Sequence, residues 1–134
     1  MSLMLCLGLG LAVGAPARAA VAPRKQVPLV RDCPGNKSTV KPRALQLACA
    51  DGNEHLATLK WKLWSSTKAV GGGNLYINDC KPDCASGRFH GYKASVVLTK
   101  VKRTKTGKPY YTRYTLSWVQ SGKRHTQAAM PISF

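Results

Sequence analysis

Acid is scarce in this chain: five Asp and Glu stand against 21 Lys and Arg, a formal net charge of +16. From Cys84 to Phe134 there are ten basic residues and no acidic one. That scarcity counts against enzymes that need a matched acid and base, because the whole carboxylate supply is Asp32, Asp51, Glu54, Asp79 and Asp83, beside His55, His90 and His125. No Ser-His-Asp arrangement is recognisable. Gly71 to Gly73 runs into Asn74 and a strand-like stretch, where a phosphate-cradling loop would need a helix start. Asp51-Gly52-Asn53-Glu54 lacks the full ligand ladder of a calcium loop. Helical periodicity and internal repeats are missing from the region beyond Ala20.

Charge is also missing from Met1 to Ala17, an apolar run carrying Leu3, Leu5, Leu7, Leu9, Leu11 and Val13 and followed by small residues on both sides of Arg18. This is the pattern of a secretory signal peptide, with cleavage expected after Ala19 or Ala17. A spanning anchor would need about 20 apolar residues, and Gly14 and Pro16 interrupt this run. Residues 1–19 are therefore read as the signal, and the expected location is secreted, outside the cell or on its envelope. Loss of Arg18 with the signal lowers the net charge from +16 to +15.

Cys6 would leave with the signal, so Cys33, Cys49, Cys80 and Cys84 remain, an even number suited to two disulfides in an oxidising compartment. Four cysteines allow three pairings. Pro82 favours a turn that would close Cys80 on Cys84 and leave Cys33 for Cys49, but the sequence does not choose among the three. The competing use is a metal site of Cys80, Cys84, His90 and Cys49, disfavoured because exported thiols oxidise; no metal or cofactor is expected.

Residues 20–42 form an extended, basic segment with Pro23, Pro28, Pro34 and Pro42. From residue 43 to 134 short apolar runs alternate with turn residues, which predicts a single all-β domain, a small disulfide-stabilised sandwich or partly open barrel. Ala44 to Ala50 reads as a first strand, closed by a turn at Asp51-Gly52-Asn53. Leu59, Trp61 and Leu63 alternate with Lys60, Lys62 and Trp64, so the first three are expected to face inward and Trp64 outward. Gly71 to Gly73 predicts a bulge, a bend or a close backbone approach, with the strand resuming over Leu75 to Ile77. Asn78 to Gly87 reads as a loop. Ala94 to Val101 and Tyr110 to Val119 form a long hairpin with a basic tip, and strand parity groups Tyr110, Thr112, Tyr114, Leu116 and Trp118 as its core face. Gln127 to Phe134 is expected to add a short edge strand.

Three stretches carry a resemblance: Arg43-Ala-Leu-Gln-Leu-Ala-Cys49-Ala-Asp-Gly-Asn53, Leu59-Lys-Trp61-Lys-Leu-Trp64, and Asn78-Asp-Cys80-Lys-Pro-Asp-Cys84-Ala-Ser-Gly87-Arg-Phe-His90-Gly-Tyr92. Together, over Lys41 to Trp118, they resemble a group of small exported actinobacterial proteins. The resemblance implies export and supplies no activity. The lysines at Lys60, Lys62 and the 100–108 loop depart from that group's pattern.

The strongest functional candidate is the hairpin tip, where Lys100, Lys102, Arg103, Lys105 and Lys108 fall beside Tyr110 and Tyr111. Lysines would hold phosphates by charge, and a tyrosine ring would carry a base or sugar. The expected partner is an anionic polymer or surface, whether nucleic acid, envelope polymer or membrane face. The plainer alternative is a solvated turn whose lysines protect a strand edge and keep the chain soluble. As an enzyme the chain would be a small hydrolase, most naturally a nuclease using Glu54 or Asp79 with His90 around a phosphate held by Arg88. Asp79 and Asp51 serve turns more often than catalysis. A protease inhibitor presenting the 78–87 loop is a third class. Trp61, Trp64 and Trp118 would make a sugar platform only if exposed, and Trp61 and Trp118 fall on the expected inward faces.

Overall fold

In the computed structural model, residues 13–132 are described, and they form one antiparallel sheet with no helix among them. The strands are β1 (Leu45–Gln46), β2 (Glu54–Trp64), β3 (Ala69–Asn78), β4 (Phe89–Arg103), β5 (Pro109–Gln120) and β6 (Lys123–Pro131). Each pairs with its neighbour in chain order, and the sheet curls into a half barrel rather than stacking as a sandwich. Most of the apolar run read as a signal peptide, residues 1–12, lies outside the described residues. Residues 13–27 are exposed and belong to no strand. No helix among the described residues is long and apolar enough to cross a membrane.

Both leading cysteine pairs are closed, Cys33 to Cys49 with Cα atoms 5.5 Å apart and Cys80 to Cys84 with Cα atoms 3.7 Å apart. The thiols are therefore engaged, which rules out the alternative metal set of Cys80, Cys84, His90 and Cys49.

Two irregularities fall in β2. Thr58 takes the left-handed conformation at φ 53°, and the β2–β3 register shifts there and again between Trp61 and Leu63. Each shift reverses side-chain parity. Leu56, Leu59 and, in part, Trp61 face the core, Leu63 turns out to 39% exposure, and Trp64 turns in. Both sequence expectations for the end of this strand are corrected. The Trp64 indole donates to the Pro28 carbonyl at 2.9 Å and meets Trp61 and Tyr111 edge to face. The crowded β2 backbone is accommodated by the glycines opposite it. A Cβ on Gly73 would lie 2.5 Å from the Ala57 carbonyl oxygen, and one on Gly71 would lie 2.8 Å from the Trp61 ring, so the glycine run serves a close approach inside a continuous strand.

The core lies in the hollow of the half barrel, where Leu56, Leu75, Val96, Leu98, Tyr111 and Leu116 are fully buried. Each such aliphatic side chain contributes about 1.5–3 kcal/mol by leaving water. Part of the proline-rich segment belongs to this core: Pro28 and Val30 are buried, Leu29 bridges Tyr110 in parallel, and Val30 bridges Thr39. The expected strand Ala44 to Ala50 shortens to β1, because Leu47 and Ala48 both turn their N–H groups onto the Glu54 carbonyl. The following turn has Asn53 N–H donating to the Asp51 carboxylate at 3.1 Å. At the other end, β6 begins four residues earlier than Gln127, at Lys123, because Ser121 and Gly122, both at positive φ, make the two-residue turn that suits a tight hairpin.

Candidate polyanion-binding surface

The β4–β5 hairpin is built by regular pairing from Ala94–Trp118 to Arg103–Pro109, with one disturbance at Lys100 and Thr112. Lys100 sits at φ 55°, and the Thr112 hydroxyl donates to its carbonyl at 2.7 Å. Across this point both strands exchange faces. Leu98 and Tyr114 point inward on one side, while Val101 and Tyr111 point inward on the other. The expected core face, with Tyr110 and Thr112 continuing Tyr114, Leu116 and Trp118, therefore holds only from Tyr114 onward.

This local kink, with the register kept on both sides, gives two adjacent tyrosines opposite roles. Tyr111 is fully buried, and its hydroxyl donates to the Ser65 carbonyl at 2.6 Å. Burial pushes its phenol pKa up. As a ligand-contacting residue Tyr111 is thus withdrawn: its ring packs against Trp64 inside the sheet. Tyr110, opposite Lys102, forms the wall between two open grooves. One, of about 310 Å³, includes Arg31 and Lys108. The other, of about 490 Å³, includes Lys100, Lys102 and Arg113. Among the described residues no carboxylate lines either groove.

The tip itself is ordered by its own bonds. Thr104 N–H donates to the Lys108 carbonyl at 2.9 Å, Lys108 N–H donates to the Thr104 hydroxyl, and Gly107 turns at φ 82°. Arg103 donates to the Gly107 carbonyl at 2.7 Å, so its guanidinium braces the turn, while Lys105 stands exposed at the apex. Of the sequence candidates, Lys100, Lys102, Lys108 and Tyr110 come together around the grooves; Arg103 and Lys105 stand beyond them at the tip.

Two cations of this surface escaped the sequence reading. Arg113, outward by strand parity, shares its groove with Lys100 and Lys102, a grouping across two strands that the reading of the tip alone did not include. Arg31 arrives from the proline-rich segment through the Leu29–Tyr110 bridge, a pairing of distant residues with no local signal.

The residues of the hydrolase alternative lie at the opposite end of β4. His90 and Asp79 do meet, at 2.9 Å. The same Asp79 carboxylate accepts the backbone N–H groups of Lys81 and Arg88. The His90 contact and these two amides hold its pKa down to about 2. Glu54 is two strands away in the row Glu54, Ile77, His90, roughly 10 Å at ordinary strand spacing, and accepts from Gln127 at 3.3 Å. The pair therefore acts as a clasp on the disulfide loop, and Glu54 does not join it. A residue the sequence gave no reason to single out, Asn78, organises this end. Buried, it donates to Asn53 and to the Cys84 carbonyl and accepts from Cys80 N–H.

Asp51 is held in its turn by Asn53, which lowers its pKa. Among the described residues no group of three or more His, Cys, Asp or Glu stands together as a metal site. Trp118 is buried as expected, with His125 stacked at 5.3 Å. Comparison with known proteins finds no matching family model, curated protein or solved structure.

Proposed function

We propose that this chain is an exported, non-enzymatic module that holds anionic polymers on the surface around Tyr110. The observation that carries the reading is a pair of grooves flanking one tyrosine, each lined by basic side chains and, among the described residues, by no carboxylate. Lysine and arginine there gain by neutralising the partner's charge and releasing its counterions. Export is supported by the signal-like beginning and the two disulfides, and the likeness to small exported actinobacterial proteins agrees with it.

A hydrolytic reading has one observation in its favour, the Asp79–His90 contact. The test treats both readings in the same tubes: purified protein with nucleic acid, polyglycerol phosphate and anionic vesicles across a salt series, with chain length of the polymers followed over time. Association that weakens steeply with salt and leaves the polymer intact is the expected result. Polymer cleavage that His90→Ala removes would replace the binding reading with the enzymatic one.

A further inference from the structure

Resting on that reading, we propose that the polymer is an acidic polysaccharide, sparsely charged and rich in hydroxyls, laid along the outer face of β4 and β5 from Lys60 and Lys93 at one end to Lys100 and Lys102 at the other. Charge alone would suit any polyanion. The spacing of these cations, and what lies between them, is what discriminates.

Ala94, Val96 and Leu98 of β4 and Tyr114, Leu116 and Trp118 of β5 pack into the hollow, so the residues between them line the convex side. In register these are Ser95 with Ser117, Val97 with Thr115, and Thr99 with Arg113. None of the six is acidic or aromatic. At one end a groove of about 490 Å³ opens over Gly72 and Gly73, lined by Lys60 and Lys93 and, among the described residues, by no carboxylate. Lys60 stands opposite Gly72, and the Lys93 ammonium donates to the Asn74 side chain at 2.9 Å, which fixes it beside the groove with two of its three N–H donors left. At the other end are Lys100 and Lys102. Lys93 and Lys100 lie about 23 Å apart at strand rise, and the pairs Ser95–Ser117 and Val97–Thr115 between them carry no charge. A nucleic-acid duplex bears a charge for about every 1.7 Å of its axis, so most phosphates over this stretch would meet no cation. A single strand would find no ring there on which to stack a base. Polyglycerol phosphate, charged on every short repeat, meets the same mismatch as the duplex. A polysaccharide with neutral sugars between its acidic ones sets hydroxyls over the uncharged stretch and acids over the lysines. Among the described residues the hydroxyls of Ser95 and Thr99 have no hydrogen-bond partner in the chain, while Ser117 shares a bond with Thr126 and Thr115 accepts the Ala129 N–H. The β4–β5 ladder holds the face in place in the free protein, so little ordering is required on binding.

The probes are three labelled oligomers of equal net charge, titrated against the full chain by fluorescence anisotropy at ~0.15 M salt: an oligosaccharide alternating a uronic acid with a neutral sugar, oligothymidine, and polyglycerol phosphate. The oligosaccharide is expected to bind about tenfold more tightly than the other two, the worth of one or two net hydrogen bonds. Lys60→Ala with Lys93→Ala is expected to weaken it about tenfold. Ser95→Ala with Thr99→Val is expected to erase the preference and leave oligothymidine affinity unchanged. In the unaltered protein the backbone amides of Ser95, Val97 and Thr99 should shift in NMR spectra with the oligosaccharide, a readout that does not depend on any variant folding. Equal affinities for the three probes in the unaltered protein, amide shifts confined to the hairpin tip, or a preference that survives in the Ser95 and Thr99 variant would overturn the polysaccharide proposal and leave the polyanion reading standing. Binding of none of the three would overturn both.

Discussion

The two ends of β4 lie about 45 Å apart, fifteen residues at strand rise, and they use charge in opposite ways. At the Phe89 end the carboxylates are turned inward on the chain: Asp79 takes Lys81 and Arg88 amides, Asp83 takes the Ser86 amide, Asp51 takes the Asn53 amide, and Glu54 takes Gln127. Together with Asn78 and the Cys80–Cys84 bridge they fix loops. At the Arg103 end no carboxylate among the described residues lines the grooves, and Lys100, Lys102, Lys105, Lys108 and Arg113 are exposed. The lesson is that a strongly basic chain can use its few acids as structural acceptors and leave its bases exposed.

That division is open to attack from either end. The largest expected effect is on stability: Cys33→Ser combined with Cys49→Ser removes a link across 16 residues and should cost about 3 kcal/mol in urea unfolding, with polymer affinity of the remaining folded protein unchanged. Breaking Cys80–Cys84, separated by only four residues, should cost about 1 kcal/mol less on the same chain-entropy argument. Next, changing Lys100, Lys102 and Lys108 together to alanine should weaken oligonucleotide binding by about a hundredfold at ~0.1 M salt and lower the salt slope by about 2, while the unfolding midpoint stays put. A fall in stability instead would show that the basic end also holds the fold.

Smaller effects sharpen the contrast. Asn78→Ala should cost about 1–2 kcal/mol in denaturant unfolding, since buried partners at Asn53, Cys80 and Cys84 lose their bonds, and should leave binding intact. The least effect is expected from the Asp79 clasp. Its carboxyl is held below the ordinary 3.8, so its contribution is present above that value and is lost as pH falls through about 2. Amide exchange at Lys81 and Arg88 should therefore quicken as pH drops from about 4 to about 2, relative to reference amides in β3, and Asp79→Asn should show the faster exchange already at pH 5. If the acid step leaves these amides protected, the clasp is not what holds the loop.

The long hairpin was legible because alternating parity depends on neighbours in the sequence; the cysteine pairing was favoured by a proline in a short loop without being chosen, and close approach was one of three readings of the glycine run. What was not legible depends on single backbone irregularities. The parity rule carries from Tyr114 to Trp118 and fails at Tyr111, since it assumes that no residue like Lys100 leaves the extended conformation. A separate register shift, between Trp61 and Leu63, exchanged the expected places of Leu63 and Trp64. Within the candidate site, the lysines could be read from composition alone. Choosing between Tyr110 and Tyr111 required the kink at Lys100 and Thr112, and finding Arg31 required the Leu29–Tyr110 bridge. Asn78 carried no charge, ring or motif to draw notice, yet its side chain forms three bonds.

The uneven placement of charge along β4 also bears on how the molecule meets a partner. A body whose excess of positive charge is concentrated at one extremity has a large electric moment. In the field of an approaching polyanion it experiences a torque, and it turns the hairpin tip forward before contact is made. Encounter is then oriented, so a greater share of collisions begins near the grooves, and adding salt should slow arrival more than it hastens departure.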